Sequence, residues 1–142
     1  MDTLTRAERS ERMARIRSKD SKPEMVVRRL LHAAGYRYRL HRRDLPGSPD
    51  LVFPGRRKAI FIHGCFWHRH PDPECRLARI PKSRQDFWIP KLEGNFARDL
   101  RKQQELASLG WKYLVIWECD LRKPEALRGR IVEFLEGRDA SD

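Results

Sequence analysis

SPDLVFPGRRKAIFIH, residues 48–63, is the stretch whose reading decides the fold. Its two apolar runs, Leu51–Phe53 and Lys58–His63, are separated by a turn at Pro54-Gly55. Short apolar runs on either side of a turn read as strands rather than helices. The stretch therefore predicts a β-hairpin with both faces largely covered. Upstream, SKPE (Ser21 to Glu24) is a helix start. Ser21 can cap, Pro23 suits the first turn, and Glu24 has capping-box spacing. Val27, Leu30, Leu31 and Ala34 continue at helical spacing to a stop at Gly35, and YRYRL (Tyr36 to Leu40) alternates as an edge strand would. Downstream, periodicity is lost from His63 to about Arg84, and Pro90 marks a helix beginning or a kink. Phe96, Leu100, Gln104 and Ala107 then give one helical face down to Gly110. WKYLVIWE (Trp111 to Glu118) is the clearest strand, and Pro124 opens a last helix with Leu127, Ile131, Phe134 and Leu135 inward. The order α-β-β-β-α-β-α predicts one α/β domain over residues 21–142, a mixed sheet flanked by helices.

Composition narrows the function. The chain has 142 residues and a formal net charge of +11, enough length for a core without disulfide staples. Positive charge is concentrated in residues 1–43 (net +8) and 76–102 (net +5), whereas residues 103–142 carry net −2. A basic face of this kind is the electrostatic footprint of a phosphate backbone partner. Residues 1–20 are Arg-rich with Met13 and Ile16 as the main apolar points, an arm or a helix laid on a partner. No secretory signal or membrane-length apolar run is evident, and three cysteines cannot all pair. A reducing, intracellular compartment is expected.

Candidate chemistry clusters around FIHGCFWHRH (Phe61 to His70). Asp50 starts the first hairpin strand and His63 ends the second, so both are expected to face one cavity. A carboxylate is the usual anchor for Mg²⁺, and an imidazole can take a proton from a metal-bound water. His68 is placed to reach the same cavity. Asp50 could equally cap a turn, with the histidines incidental. Cys65, His70 and Cys75 are spaced C-x4-H-x4-C, and Cys119 closes the long strand. Thiolate and imidazole ligands suit Zn²⁺, with His68 and Asp72 as rival ligands and free buried cysteines as the alternative. Phe66 and Trp67 are adjacent large aromatics in a polar loop, joined by Trp88. They read either as core or as wedges that enter a base stack.

SKPE, HRRDLPGSPDLVFP, FIHGCFWHRH, FWIPK…N and GWKYLVIWEC occur in this order from about Met13 to Leu127. Together they resemble the very short patch repair (Vsr) endonucleases, within the PD-(D/E)xK restriction-endonuclease-like class. The resemblance implies a restriction-endonuclease-like mixed sheet with a structural zinc site. It implies a Mg²⁺-dependent enzyme that nicks double-stranded DNA 5′ of the mispaired thymine in a T·G mismatch, the product of 5-methylcytosine deamination. By the same resemblance, Asp50 and the Ile62 backbone carbonyl would hold magnesium, two ions being expected. His63 would activate water, His68 would support the scissile phosphate or leaving oxygen, and Glu24 and Asp99 would assist. Cys65, His70, Cys75 and Cys119 would hold one zinc ion. Phe66, Trp67 and Trp88 would intercalate, and the arm with Arg15, Arg17 and Lys19 would lie along DNA.

Two departures stand out. Phe61–His63 occupies the place of the usual acidic residue and lysine, as in Vsr-like members. Four residues separate His70 from Cys75, with Pro71 and Pro73 among them, more than in the familiar pattern. The competing readings are a Vsr-like nickase with another mismatch or sequence context, and a zinc-stabilised module that binds distorted DNA without cutting. A cytoplasmic monomer at the nucleoid, with mismatch-repair proteins as further partners and no membrane contact, completes the expectation.

Overall fold

The computed structural model describes residues 21–137. The basic arm, with Arg15, Arg17 and Lys19, lies outside the described residues. The elements are α1 (Lys22–Ala33), β1 (Arg39–Leu40), β2 (Leu51–Phe53), β3 (Lys58–His63), α2 (Gln85–Ser108), β4 (Lys112–Trp117) and α3 (Pro124–Glu136). They form a mixed α/β architecture around one four-stranded sheet of order β1-β2-β3-β4. The first two pairings are antiparallel, and β3 pairs with β4 in parallel across the α2 connection. No helix among the described residues is long and apolar enough to cross a membrane.

The hairpin forms where the apolar runs predict it, with Leu51 opposite Ile60 and Phe53 opposite Lys58. Its turn is a 3₁₀ segment, Pro54–Arg56, closed by Arg57 in the left-handed region at φ 54°. Successive strand residues point to opposite faces, which divides the core in two. Leu51, Phe53, Ile60 and Ile116 meet Val27 and Leu31 of α1 and Leu127, Ile131 and Leu135 of α3. On the other face, Ala59 and Phe61 meet Leu106 of α2. His63 continues the Ala59–Phe61 face, at the carboxyl end of β3.

Lys58 is buried, 8% exposed, at the start of β3. Its ammonium donates to the carbonyls of Phe134 (2.7 Å), Leu135 (3.2 Å) and Gly137 (3.3 Å). The cation thus satisfies carbonyls left open at the end of α3 and opposes the negative end of its dipole. Lys58→Met keeps the apolar stem and removes the donors. It is expected to cost about 3 kcal/mol, lowering the melting temperature on the order of 10 °C. Thermal denaturation checks this, and a shift within about 2 °C would show that the lysine is dispensable.

Three local expectations are corrected. First, Ser21 does cap α1, its hydroxyl accepting from the Glu24 N–H at 3.4 Å, but Glu24 does not close a capping box. Its side chain is only 1% exposed and turns to His41 instead. Second, the edge strand is shorter than Tyr36–Leu40. Only Arg39–Leu40 pairs, while Tyr36 and Tyr38 pack against the core. Third, α2 starts at Gln85, so Pro90 lies inside the helix, and its inward face is Trp88, Leu92, Gln103 and Leu106. Leu100, expected inward, is 44% exposed. The reason is that α2 turns a partly polar stripe inward, Asn95, Asp99 and Gln103, and two of these bind the loop after β3.

Candidate active site and metal cluster

Two parallel strands ending side by side build the site. His63 and Trp117 are the last register pair of β3 and β4. The residues that follow each strand, Gly64-Cys65 and Glu118-Cys119, therefore leave the sheet at one end. The Cys119 N–H donates to the Cys65 sulfur at 3.4 Å, and the Cys119 sulfur lies 3.5 Å from His70 Nδ1. The loop returns because the His70 N–H donates to the Cys65 carbonyl at 2.9 Å and the His70 ring stacks on Trp117 at 4.3 Å. With Cys75, the four candidate ligand atoms all lie within 4.8 Å of one another. A tetrahedral ion with ~2.3 Å metal–sulfur bonds holds its ligands about 4 Å apart, so this donor set fits such an ion. The longer insertion does not remove His70 from the group. Burial pushes the Cys65 and Cys119 thiols up from their ordinary values, which leaves the thiolates dependent on a bound cation.

The rival ligands go elsewhere. Asp72 accepts the Glu74 N–H at 2.9 Å. His68 belongs to a second group, with His63 and Asp99. The His63 and His68 rings stack in parallel, centroids 3.9 Å apart, and His68 Nδ1 lies 2.6 Å from Asp99 Oδ2. His63 is 5% exposed, and its buried Nδ1 has no hydrogen-bond partner among the described residues. Burial, then the charge of His68, lower its pKa to about 3, so the ring is neutral at physiological pH. A buried ring nitrogen left open is a place for a water or a ligand, since such groups are otherwise paired.

Asp50 sits in a third group, with Glu24 and His41. The expectation that Asp50 and His63 share one cavity is met only at one remove. Asp50 Oδ2 accepts the Ile62 N–H at 2.7 Å, beside His63 in the chain, and the charge of His68 acts on the Asp50 carboxyl. A strand residue presents its N–H and C=O to the same side. The Ile62 carbonyl therefore faces the edge where Asp50 stands. Burial raises the Asp50 pKa to about 6, against the Ile62 hydrogen bond, and nearby Glu24 raises it further. A desolvated carboxylate beside a second one is a fitting donor set for a divalent cation.

The aromatics form one cluster. Phe66 and Trp67 are half-buried and lie edge-to-face, 5.0 Å apart, and both contact Trp88 at 5.1 and 5.8 Å. Trp88, expected as an intercalating side chain, is only 6% exposed because Phe66, Trp67 and Phe87 enclose it. Asn95 Nδ2 donates to the Trp67 carbonyl at 3.0 Å and ties the loop to α2. A groove of about 470 Å³, lined by Arg43, Gly47, Arg98, Asp99 and Lys102 among others, opens beside the His68–Asp99 pair. Gly47 makes the groove wall possible: its φ is +80°, and a Cβ there would lie 2.9 Å from the Phe61 ring.

Two site residues escaped the sequence reading. Asn95, the last residue of FWIPK…N, and His41 stand in quoted motifs, but nothing in the sequence assigns either a partner. His41 stands within HRRDLPGSPD, and its left-handed backbone, φ 48°, is visible only in the fold.

Comparison with known proteins gives the family. The family model described as "DNA mismatch endonuclease Vsr" matches residues 1–77. The type II nicking enzyme V.XorIIP of Xanthomonas oryzae pv. oryzae is 51% identical over 135 residues, 95% of this chain and 97% of its own length. The type II nicking enzyme V.NmeAIP of Neisseria meningitidis is 41% identical over 92% of this chain and 91% of its own. The DNA mismatch endonuclease Vsr of Escherichia coli (strain K12) is 39% identical over 99% of this chain and 91% of its own. With a family match over more than half of its length and such relatives spanning nearly all of it, this chain belongs to the Vsr family.

Proposed function

We propose that the protein is a Mg²⁺-dependent endonuclease with a restriction-endonuclease-like core. It nicks one strand of double-stranded DNA 5′ of the mispaired thymine in a T·G mismatch. The observation that carries this reading is the convergence at the end of β3. Asp50 is bonded to the Ile62 N–H, and the next residue, His63, is stacked on a His68–Asp99 pair. Relatives named as a mismatch endonuclease and as nicking enzymes support the reaction class.

Asp50 and the Ile62 carbonyl are the residues that would hold magnesium, with Glu24 beside them. When bound, the ion lowers the pKa of a bound water and neutralises developing phosphate charge. His63 is the proton acceptor for the attacking water; burial keeps it neutral but makes it a weak base in the DNA-free protein. Asp99 holds His68 in one orientation, from which the imidazole supports the scissile phosphate or the departing oxygen. Cys65, His70, Cys75 and Cys119 would hold a structural zinc ion that pins the loop carrying His68. Arg43 and Arg98 give the adjoining groove cations for a phosphate backbone, interleaved with Asp44, Asp99 and Glu105, the last of which pairs with Lys102 at 3.4 Å. The proposed enzyme acts as a monomer in the cytoplasm, at the nucleoid, where mismatch-repair proteins are further partners.

Phe66 and Trp67 stand on Trp88 as a wedge for the mispaired step. Trp67→Ala is expected to reduce the preference for T·G over T·A duplex about tenfold, the range of one base–aromatic stack. Affinity for matched duplex, set by backbone charge, changes less than about threefold. Competition binding on the two duplexes reads both numbers; equal losses on each would remove the wedge. The function itself is tested by cleavage of T·G, T·A and C·G duplexes in Mg²⁺ or EDTA. Tighter T·G binding without a break would favour a non-cutting sensor of distorted DNA.

A further inference from the structure

The group least explained by the proposed reaction is His41. Its side chain is 19% exposed, and Nε2 lies 3.0 Å from both carboxylate oxygens of Glu24. A carboxylate only accepts, so Nε2 carries the hydrogen and donates to both oxygens. The His41 backbone N–H donates to the Asp50 carbonyl at 3.0 Å. One residue thus grips the main chain of one acidic residue and the side chain of the other. It does so from a left-handed backbone at φ 48°, a region sparsely used by residues other than glycine. Strain of this kind persists where surrounding contacts hold it and is concentrated at functional sites. Glu24 is 1% exposed, and among the described residues no backbone N–H donates to its carboxylate. Besides His41, its side chain is met by Arg28, whose Nη1 lies at 3.4 Å.

We propose that His41 is a positioning residue for the reaction, its Nε2–H holding the Glu24 carboxylate in register with Asp50 so that the two present a formed divalent-cation site. The inference rests on reading Asp50 as a metal-binding carboxylate. It adds a residue outside the Asp50–His63–His68 set, one that acts through the Glu24 carboxylate. Partners that orient metal-binding groups are worth about 10–100-fold in metal affinity or activity.

Four variants separate donor, backbone and metal ligand: H41A, H41N, H41Q and D50A. Two readouts are taken on each: Mn²⁺ binding to the DNA-free protein, followed by the EPR signal of free Mn²⁺, and the Mg²⁺ concentration that half-activates single-turnover nicking. H41Q restores an N–H donor at similar reach. H41N tolerates the left-handed backbone but is too short. H41A and H41N are expected to weaken Mn²⁺ binding and raise the Mg²⁺ midpoint by about 10–100-fold. H41Q should recover most of both, and duplex binding in EDTA should be unchanged in all three.

Mn²⁺ binding by H41A equal to wild type would overturn the inference. So would equal losses in H41A and H41Q, which would mean that the donor is not what matters. D50A supplies the control on the underlying reading. If D50A still binds Mn²⁺ and nicks as wild type does, the metal assignment itself falls, and this inference with it. If D50A is inactive and H41A is normal, only the role of His41 fails.

Discussion

Replacing Asp50 by alanine is expected to lower nicking of a T·G duplex by about 10³-fold or more, while binding to the same duplex falls less than about threefold. The size follows from the several kcal/mol that a bound cation contributes to a phosphoryl transition state, each 1.4 kcal/mol being tenfold in rate. Binding is spared because phosphate contacts from arginine and lysine supply most of the affinity. Asp50 also links the site to stability. Its carboxyl is raised from 3.8 to about 6, chiefly by burial, so between these values the folded protein holds a proton that the unfolded chain releases. The folded pKa lies above the unfolded one. The group's contribution is therefore most favourable below about pH 4 and is lost as pH rises through about 6. Above that the buried carboxylate costs about 3 kcal/mol. Asp50→Asn should therefore melt higher than wild type at pH 7.5 without Mg²⁺, and should lack the stabilisation that Mg²⁺ gives wild type. Paired loss of nicking and binding in Asp50→Ala would make the residue structural instead.

The second large effect concerns the cysteines. Cys119→Ala is expected to empty the cluster of Cys65, His70, Cys75 and Cys119, lowering stability by roughly 3–5 kcal/mol. That is ~10 °C or more in melting temperature. Removing one ligand leaves Cys65, fully buried, as a desolvated thiol without a cation. Nicking should fall as well, because the loop that carries His68 starts at Cys65 of this cluster, three residues before His68. Metal analysis of the purified proteins reads the ion directly, and Asp72→Asn, outside the cluster, should keep it. Unchanged zinc in Cys119→Ala would strike Cys119 from the ligand set.

Much of this arrangement was legible in the residues, and the remainder has definite physical reasons for being hidden. The hairpin showed because Leu51–Phe53 and Ala59–Ile62 are apolar on both faces, which only a covered sheet accommodates. The grouping of Cys65, His70, Cys75 and Cys119 was suggested by the family resemblance rather than by spacing, and the fold does bring the four together. The face of α2 misled because its inward stripe includes Asn95, Asp99 and Gln103. A helix that serves a site buries polar groups, and hydrophobic periodicity then points to the wrong side. Glu24 looked like a cap because capping-box spacing is local, whereas its partner His41 is 17 residues away. Trp88 stayed open between core and wedge because sequence gives residue type and not enclosure. Its burial comes from three rings brought together by the fold.

The central claim is that the Asp50, His63 and His68 groups cut one strand beside a mismatch that the Phe66–Trp67 loop opens. The most direct test maps the break at nucleotide resolution on a T·G duplex with each strand carrying its own end label, in Mg²⁺. The account predicts one product, from the T-containing strand only, with the break just 5′ of the mispaired T, and none in EDTA. Breaks in both strands, or the same break in the matched T·A duplex, would contradict it.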